Sequence, residues 1–264
     1  MSRLIWLSDL HYMVAGDING HDPRVRINLA IDTIRRDFAD ADAVIITGDL
    51  AEHGYAEDYA ALAKIMDRLP MPVLSLLGNH DQRAAFAAHI SPPDTAMASY
   101  RQFTHLVGDV LVMALDTPDG ETSPGQLCSA RMEWITDTLR ANRDKRVIVA
   151  MHHPPVALGL PNQDHERVVQ GDALMELLAD HGNVAQILCG HVHRQVQMLS
   201  HGIPVTSARS VTYQAPALRP HWDWDSFAPP LEAPSFGIVD VDQDTLRMHD
   251  VYFCDARDGV SAKS

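Results

Sequence analysis

The sequence predicts an α/β fold in which two β-sheets pack together with helices outside, and three observations lead there. Apolar runs of strand character alternate with amphipathic helical stretches as far as Cys189. Beyond that point the pattern changes to short strands joined by tight turns. Five of the runs also end in the same way, in a residue type that binds metal. Gly48-Asp49 closes Ala43–Thr47, and Ser8-Asp9-Leu10-His11 follows Leu4–Leu7. Gly78-Asn79-His80-Asp81 follows Val73–Leu77, His152-His153 follows Val147–Met151, and Gly190-His191-Val192-His193 follows Gln186–Cys189. Open α/β sheets carry their chemistry at the carboxyl ends of strands. The five endings together therefore point to one dinuclear metal site.

The elements follow in order. Tyr12 to Pro23 is rich in Gly, Asp and Asn and reads as a loop. Arg24 to Ala39 reads as a helix, with Ile27, Ala30, Ile31, Ile34 and Phe38 on one face and Pro23 near its start, where a missing N–H costs little. After strand 43–47, a second helix runs from Ala56 to Leu69 and is stopped by Pro70 and Pro72. Strand 73–77 comes next, then a short helical pattern within Gln82 to Arg101 and a loop at Ser91-Pro92-Pro93-Asp94. Val110–Leu115 is a buried strand ending in Asp116, which is expected to be structural. Ser129 to Ala141 is a helix with Ser129 as N-cap and Met132, Ile135 and Leu139 facing inward. Strand 147–151, a Pro- and Gly-rich loop, a helix from Asp172 to Asp180 and strand 185–189 complete the alternating part. A β meander of strands at 195–199, 204–208, 236–241 and 246–253 ends the chain, interrupted by Tyr213 to Pro234. That segment is too long for a simple turn and reads as a lid or an interface.

The 264 residues suffice for one large domain or two small ones, and the absence of a composition break favours a single domain over 1–264. A formal charge of −14 argues against binding a nucleic acid polymer, which needs a Lys/Arg surface. It does not exclude a small anionic substrate, because bound cations would dominate the local field. Cys128, Cys189 and Cys254 are odd in number and widely spaced, so each is expected to be a small buried residue and not part of a disulfide framework. The first strand begins within three residues, and no apolar run approaches the roughly 20 residues that span a bilayer. A cytoplasmic protein without a membrane segment is expected.

Asp9 and His11 lie two apart at a strand end, so both side chains can reach one metal. Asp49 has two oxygens and can bridge two ions. Asn79 offers an amide oxygen, and His152, His191 and His193 offer imidazoles. Mixed O/N donors without thiolate suit Mn, Fe, Zn or Co.

In this order and combination, Asp-x-His, Gly-Asp, Gly-Asn-His-Asp, His and Gly-His-x-His resemble the calcineurin-like metallophosphoesterase superfamily, over Asp9 to His193. The resemblance implies a four-layer αββα sandwich of two mixed β-sheets flanked by helices. It implies one metal on Asp9, His11, Asp49 and His193 and a second, divalent or Fe/divalent in pairing, on Asp49, Asn79, His152 and His191. His80 would be no ligand; it would contact the scissile phosphate or protonate the leaving oxygen, after in-line attack by a metal-bridging hydroxide. Gly48-Asp49-Leu50-Ala51-Glu52-His53-Gly54, the Asp at position 81 and His152-His153-Pro154-Pro155 resemble the branch holding class III cyclic-nucleotide phosphodiesterases and bacterial glycerophosphodiesterases. A small phosphodiester is then the expected substrate. A phosphomonoesterase and a metal-binding module without turnover are the rival readings. The scarcity of cationic side chains near the motifs, with Arg83 and Arg194 the nearest, favours a diester.

Other residues carry two readings each. His153 is expected to orient its neighbour or cap the loop. Glu52 and His53 either line the substrate pocket or form a solvated turn. His221, Trp222 and Trp224 either form a lid wall over the substrate or plug the sandwich edge or a contact in a homodimer or higher homo-oligomer.

Overall fold

A computed structural model describes residues 1–261 apart from 92, 94–96, 98, 121 and 218–221. The first sheet has the strand order β11-β10-β1-β2-β3 and the second β4-β5-β6-β7-β9-β8. These strands are β1 (Ser2–Leu7), β2 (Ala43–Ile46), β3 (Val73–Ser75), β4 (Phe103–Val107), β5 (Val110–Ala114), β6 (Arg146–Met151), β7 (Val184–Cys189), β8 (Val196–Ser200), β9 (Ile203–Ser207), β10 (Ser235–Val241) and β11 (Leu246–Tyr252). The helices are α1 (Pro23–Asp37), α2 (Ala56–Met66), α3 (Arg83–His89), α4 (Ser129–Ala141) and α5 (Gly171–His181). Both sheets are mixed: β1, β2 and β3 run parallel, as do β5, β6, β7 and β9, while the pairs β1–β10, β10–β11, β4–β5 and β8–β9 are antiparallel.

The two-residue period of a strand explains the layers. Leu4 and Trp6 of β1 point between the sheets, where they meet Val112, Ile148, Ala150 and Leu188 of the second sheet. Ile5 and Leu7 point the other way and pack with Ile27, Ile31 and Ile34 of α1 and Leu62 of α2. In the second sheet, Val147, Val149 and Met151 pack against Ile135 and Leu139 of α4 and Leu174, Met175 and Leu178 of α5. The central strands β1, β2, β5 and β6 are therefore covered on both faces and read as nearly continuous apolar runs. Trp6 buries an indole N–H between the sheets by donating it to Thr47 Oγ1 at 3.0 Å.

Helix α1 starts as the sequence predicts, with Pro23 in its first turn and the Asp22 side chain accepting from Arg24 N. Cys128, not Ser129, is the N-cap residue of α4, and Ser129 is its first helical residue. Of the cysteines only Cys189 is buried; Cys128 and Cys254 are partly exposed, contrary to expectation. Strand β4 has no counterpart in the sequence reading, because Phe103-Thr-His-Leu-Val107 mixes polar and apolar residues on a sheet edge. The expected meander is instead two hairpins in different sheets. β8–β9 closes the second sheet and β10–β11 the first, with the 208–234 connection crossing from one to the other. Asp116 is structural, as expected: it is fully buried, pairs with Arg83 at 2.6 Å and accepts from Arg101 N at 2.6 Å. Among the described residues no helix is long and apolar enough to cross a membrane.

Candidate metal centre

The turns that follow β1, β2, β3, β6 and β7 meet at one end of the paired sheets. Asp9, His11, Asp49, His191 and His193 all take positive φ, between 46° and 73°, a conformation that costs a non-glycine residue about 1–3 kcal/mol. The turns are pinned to one another. Asp9 N donates to Gly48 O at 3.1 Å and His11 N to Asp49 O at 2.9 Å. Asp81, buried, accepts from Leu50 N, Ala51 N, Gly78 N and the Tyr59 hydroxyl, which clamps the second turn to the third. Burial and the neighbouring Asp49 charge push its carboxyl up to about 6. Close approach also needs two glycines. A Cβ on Gly48, at φ 94°, would lie 2.5 Å from His152 Nδ1, and one on Gly190 would lie 2.1 Å from Ser8 Oγ.

Hydrogen bonds behind the imidazoles decide which nitrogen faces inward. His11 Nδ1 donates to Glu52 Oε2 at 2.7 Å, His152 Nδ1 to Thr47 O at 2.7 Å and His193 Nδ1 to Tyr213 O at 3.0 Å. Each therefore turns Nε2 to the centre. His191 is reversed: Nδ1 lies 3.0 Å from Asn79 Oδ1, and Nε2 lies 3.1 Å from Glu166 Oε2. His152 Nε2 also sits 3.0 Å from Asn79 Oδ1. Asp9, His11, Asp49 and His193 bring one donor atom each within 4.8 Å of the others, and His152, His153 and His191 do the same. All of the predicted ligands thus converge. His153 meets its expectation in part: Nδ1 bonds Thr117 Oγ1 at 2.8 Å and the ring sits edge-on to His152.

The donor set fits a cation. His11 Nε2 and His193 Nε2 lie 2.9 Å apart, and with both Nδ1–H groups committed outward, two lone pairs face each other. Only a cation or a proton between them relieves that repulsion. Asp9 Oδ2 is buried with no hydrogen-bond partner among the described residues. Burial opposes charge on His152, but Asp49 and Asp9 outweigh it and raise the imidazole to about 9. Burial wins at His193, which falls to about 4. Despite its own burial, Asp49 is held well below the carboxylate range by His152, His80 and His11.

His11, Asp49, Asn79, His191 and His193 line a cavity of about 420 Å³. His80 also lines it, half-buried, with Nδ1 donating to Glu52 O at 2.9 Å and Nε2 making no hydrogen bond among the described residues. Of the expected pocket residues, His53 is exposed against the Tyr55 ring and does not line the cavity. Trp222 stands one layer back, packed edge-on against Trp224 and Phe227, which do line it. His221 lies outside the described residues. Glu52, left between two readings, bears on the site through His11. Ser123, Gln163 and Glu166 line the cavity without any sequence signal, since they come from loops with no repeating spacing, whereas Tyr213 and Phe227 belong to the segment expected to be a lid or an interface.

Comparison with known proteins agrees with this geometry. The chain is 30% identical over 261 residues to a protein of Rhodopseudomonas palustris named "probable cyclic nucleotide phosphodiesterase", covering 95% of this chain and 92% of that one. A glycerophosphodiester phosphodiesterase, GpdQ, of Enterobacter lignolyticus is 26% identical over 189 residues, 69% of this chain and 68% of that one. Among solved structures, a dimetal phosphatase from Danio rerio shares the fold, with a TM-score of 0.72 at 15% identity over 96% of this chain and 97% of that chain. The sequence profile of the calcineurin-like phosphoesterases matches residues 2–195. By that match, and by the metal donors gathered at the strand ends, the chain belongs to the calcineurin-like phosphoesterase family.

Proposed function

We propose that the protein is a phosphodiesterase that works with two metal ions and hydrolyses small phosphodiesters of the cyclic-nucleotide or glycerophosphodiester kind. The observation that carries the reading is the position of Asp49 Oδ2, 3.6 Å from His11 Nε2 and 3.4 Å from His152 Nε2. One carboxylate oxygen is thus within reach of both donor groups, as a bridge requires. Asp9, His11, Asp49 and His193 would hold one ion, and Asp49, Asn79, His152 and His191 the other. Oxygen and nitrogen donors without thiolate suit Mn, Fe, Zn or Co. Such a pair supplies Lewis-acid charge for phosphoryl oxygens and acidifies water near neutral pH.

The chain's own groups do the rest. Because the Glu52 carbonyl accepts from His80 Nδ1, the opposite nitrogen is the one presented to a substrate, placed to give a proton to the leaving alkoxide. No Lys or Arg is among the described residues that line the cavity, and Asp49 and Glu166 both add negative charge. Such a lining disfavours a dianionic monoester relative to a monoanionic diester. The test has two parts. Reconstituted protein should carry two metal ions per chain by elemental analysis, and it should turn over an aryl phosphodiester faster than the matching monoester. One ion per chain would remove the bridge, and a faster monoester would make the protein a phosphomonoesterase.

A further inference from the structure

No cysteine is among the clustered metal donors, but one of the three stands in surroundings unlike the others. Cys128 is the N-cap residue of α4, partly exposed, and the exposed Ser129 and Ala130 follow it. Its sulfur lies 3.5 Å from the Tyr100 hydroxyl. The Arg131 guanidinium sits over the face of the same ring, 4.4 Å from its centroid, and that of Arg83 lies 5.5 Å from it. Arg131 is fixed: it is only 3% exposed, and Nη1 donates to Asp116 O at 2.7 Å and Pro118 O at 3.2 Å. Its Nε is buried with no hydrogen-bond partner among the described residues. Asp116, 2.6 Å from Arg83 and 4.0 Å from Arg131, offsets one of the two cations and leaves the other over.

A fixed cation and the positive end of a helix both favour a thiolate over a thiol. Burial opposes ionisation at Cys128, but hydrogen bonds from Tyr100 and Arg131 and the Arg131 charge outweigh it and bring the thiol down to about 7. Cys254, also partly exposed, goes the other way, raised by burial to about 11. Burial pushes Cys189 above the usual thiol range.

We propose that Cys128 is a site of reversible oxidation by hydroperoxides, with Tyr100 and Arg131 holding first the thiolate and then the oxygen added to it. The thiolate attacks one peroxide oxygen, so that an S–O bond forms as the O–O bond breaks. Sulfur gives up two electrons, and the other oxygen leaves as hydroxide or alkoxide and takes a proton from water. The product is a sulfenic acid, and its oxygen is an acceptor beside a guanidinium whose Nε–H has none in the thiol form. A dithiol reverses the step through a mixed disulfide with loss of water.

Two measurements on the full-length, zinc-loaded chain test this; zinc is used so that no redox-active ion consumes the peroxide. In the first, iodoacetamide labelling is followed by peptide mass mapping between pH 5.5 and 9.5. Cys128 should label with a midpoint near 7, and at pH 7 about 50-fold faster than Cys254. Tyr100→Phe removes a hydrogen bond to the sulfur without touching the buried Arg131, and should move the midpoint up by about one pH unit. In the second, equimolar hydrogen peroxide is added with dimedone. The adduct should form on Cys128 before Cys254, and without dimedone a later dose of dithiothreitol should restore the free thiol. Equal labelling of Cys128 and Cys254, a midpoint unmoved by Tyr100→Phe or no dimedone adduct on Cys128 would each overturn the site.

Discussion

Replacing Glu52 by Gln should weaken metal binding about tenfold, and the size follows from one contact. Glu52 Oε2 accepts from His11 Nδ1 at 2.7 Å, and the carboxylate is only 15% exposed, so water screens the bond little. A bond to a charged partner contributes about 1.5–3 kcal/mol and a neutral one about 0.5–1.5 kcal/mol. Gln keeps an acceptor but loses the charge, a difference of about 1.4 kcal/mol, or tenfold in affinity. Ala also frees the ring to turn and to exchange tautomers, which extends the loss toward about 100-fold. His80 hangs on the backbone carbonyl of residue 52, which both variants retain. Turnover at saturating metal should therefore fall much less than affinity. Competition against a fluorescent chelator gives the metal dissociation constant, and steady-state rates at saturating metal give turnover. Unchanged metal affinity in both variants would refute the argument that Glu52 positions His11.

The other predictions are brief. His80→Ala should lower turnover by about 10²–10⁴ while metal content stays at the wild-type level, with the smallest loss for a diester whose leaving group needs no proton; a wild-type rate on an alkyl diester would take His80 out of the reaction. Metal affinity should drop as pH falls from 9 to 6.5, about tenfold per unit, because ion-free His152 titrates near 9 and its proton must leave before the nitrogen can bind. Calorimetry in buffers of different ionisation enthalpy would detect that proton at pH 7.5, and no buffer dependence would refute the assignment. Arg26 is fully buried and donates to Asp258 O, Thr212 O and Ala256 O, so Arg26→Met leaves three carbonyls without their donor. A loss of about 2–4 kcal/mol in urea denaturation is expected, with faster proteolysis near Ala256; an unchanged midpoint would show that the staple does not hold the C-terminal segment.

Much of the fold was legible because burial on both faces leaves a plain signature. β1, β2, β5, β6 and β7 each sit between two cores, so their buried stretches are mostly apolar, with Gln186 of β7 an exception, and bounded by turns. β4 was not legible, because an edge strand is constrained on one side only. The meander failed for a related reason: hairpins announce their own turns, but nothing local says which sheet edge they will join. The convergence of the proposed ligands was legible because each follows a strand closely and the sheet order brings strand ends together.

The sequence by itself determined the chemistry of the centre: which carboxylates, amide and imidazoles stand at strand ends, and hence a site of oxygen and nitrogen donors. Those residues must follow strands because positions there are held by the sheets. Only the tertiary structure decided that Glu52 and Glu166 stand behind His11 and His191, that His53 points to solvent and that Trp224 and Phe227 wall the cavity. Such residues lie on loops, where the direction of a side chain is set by contacts with distant parts of the chain and leaves no periodic trace.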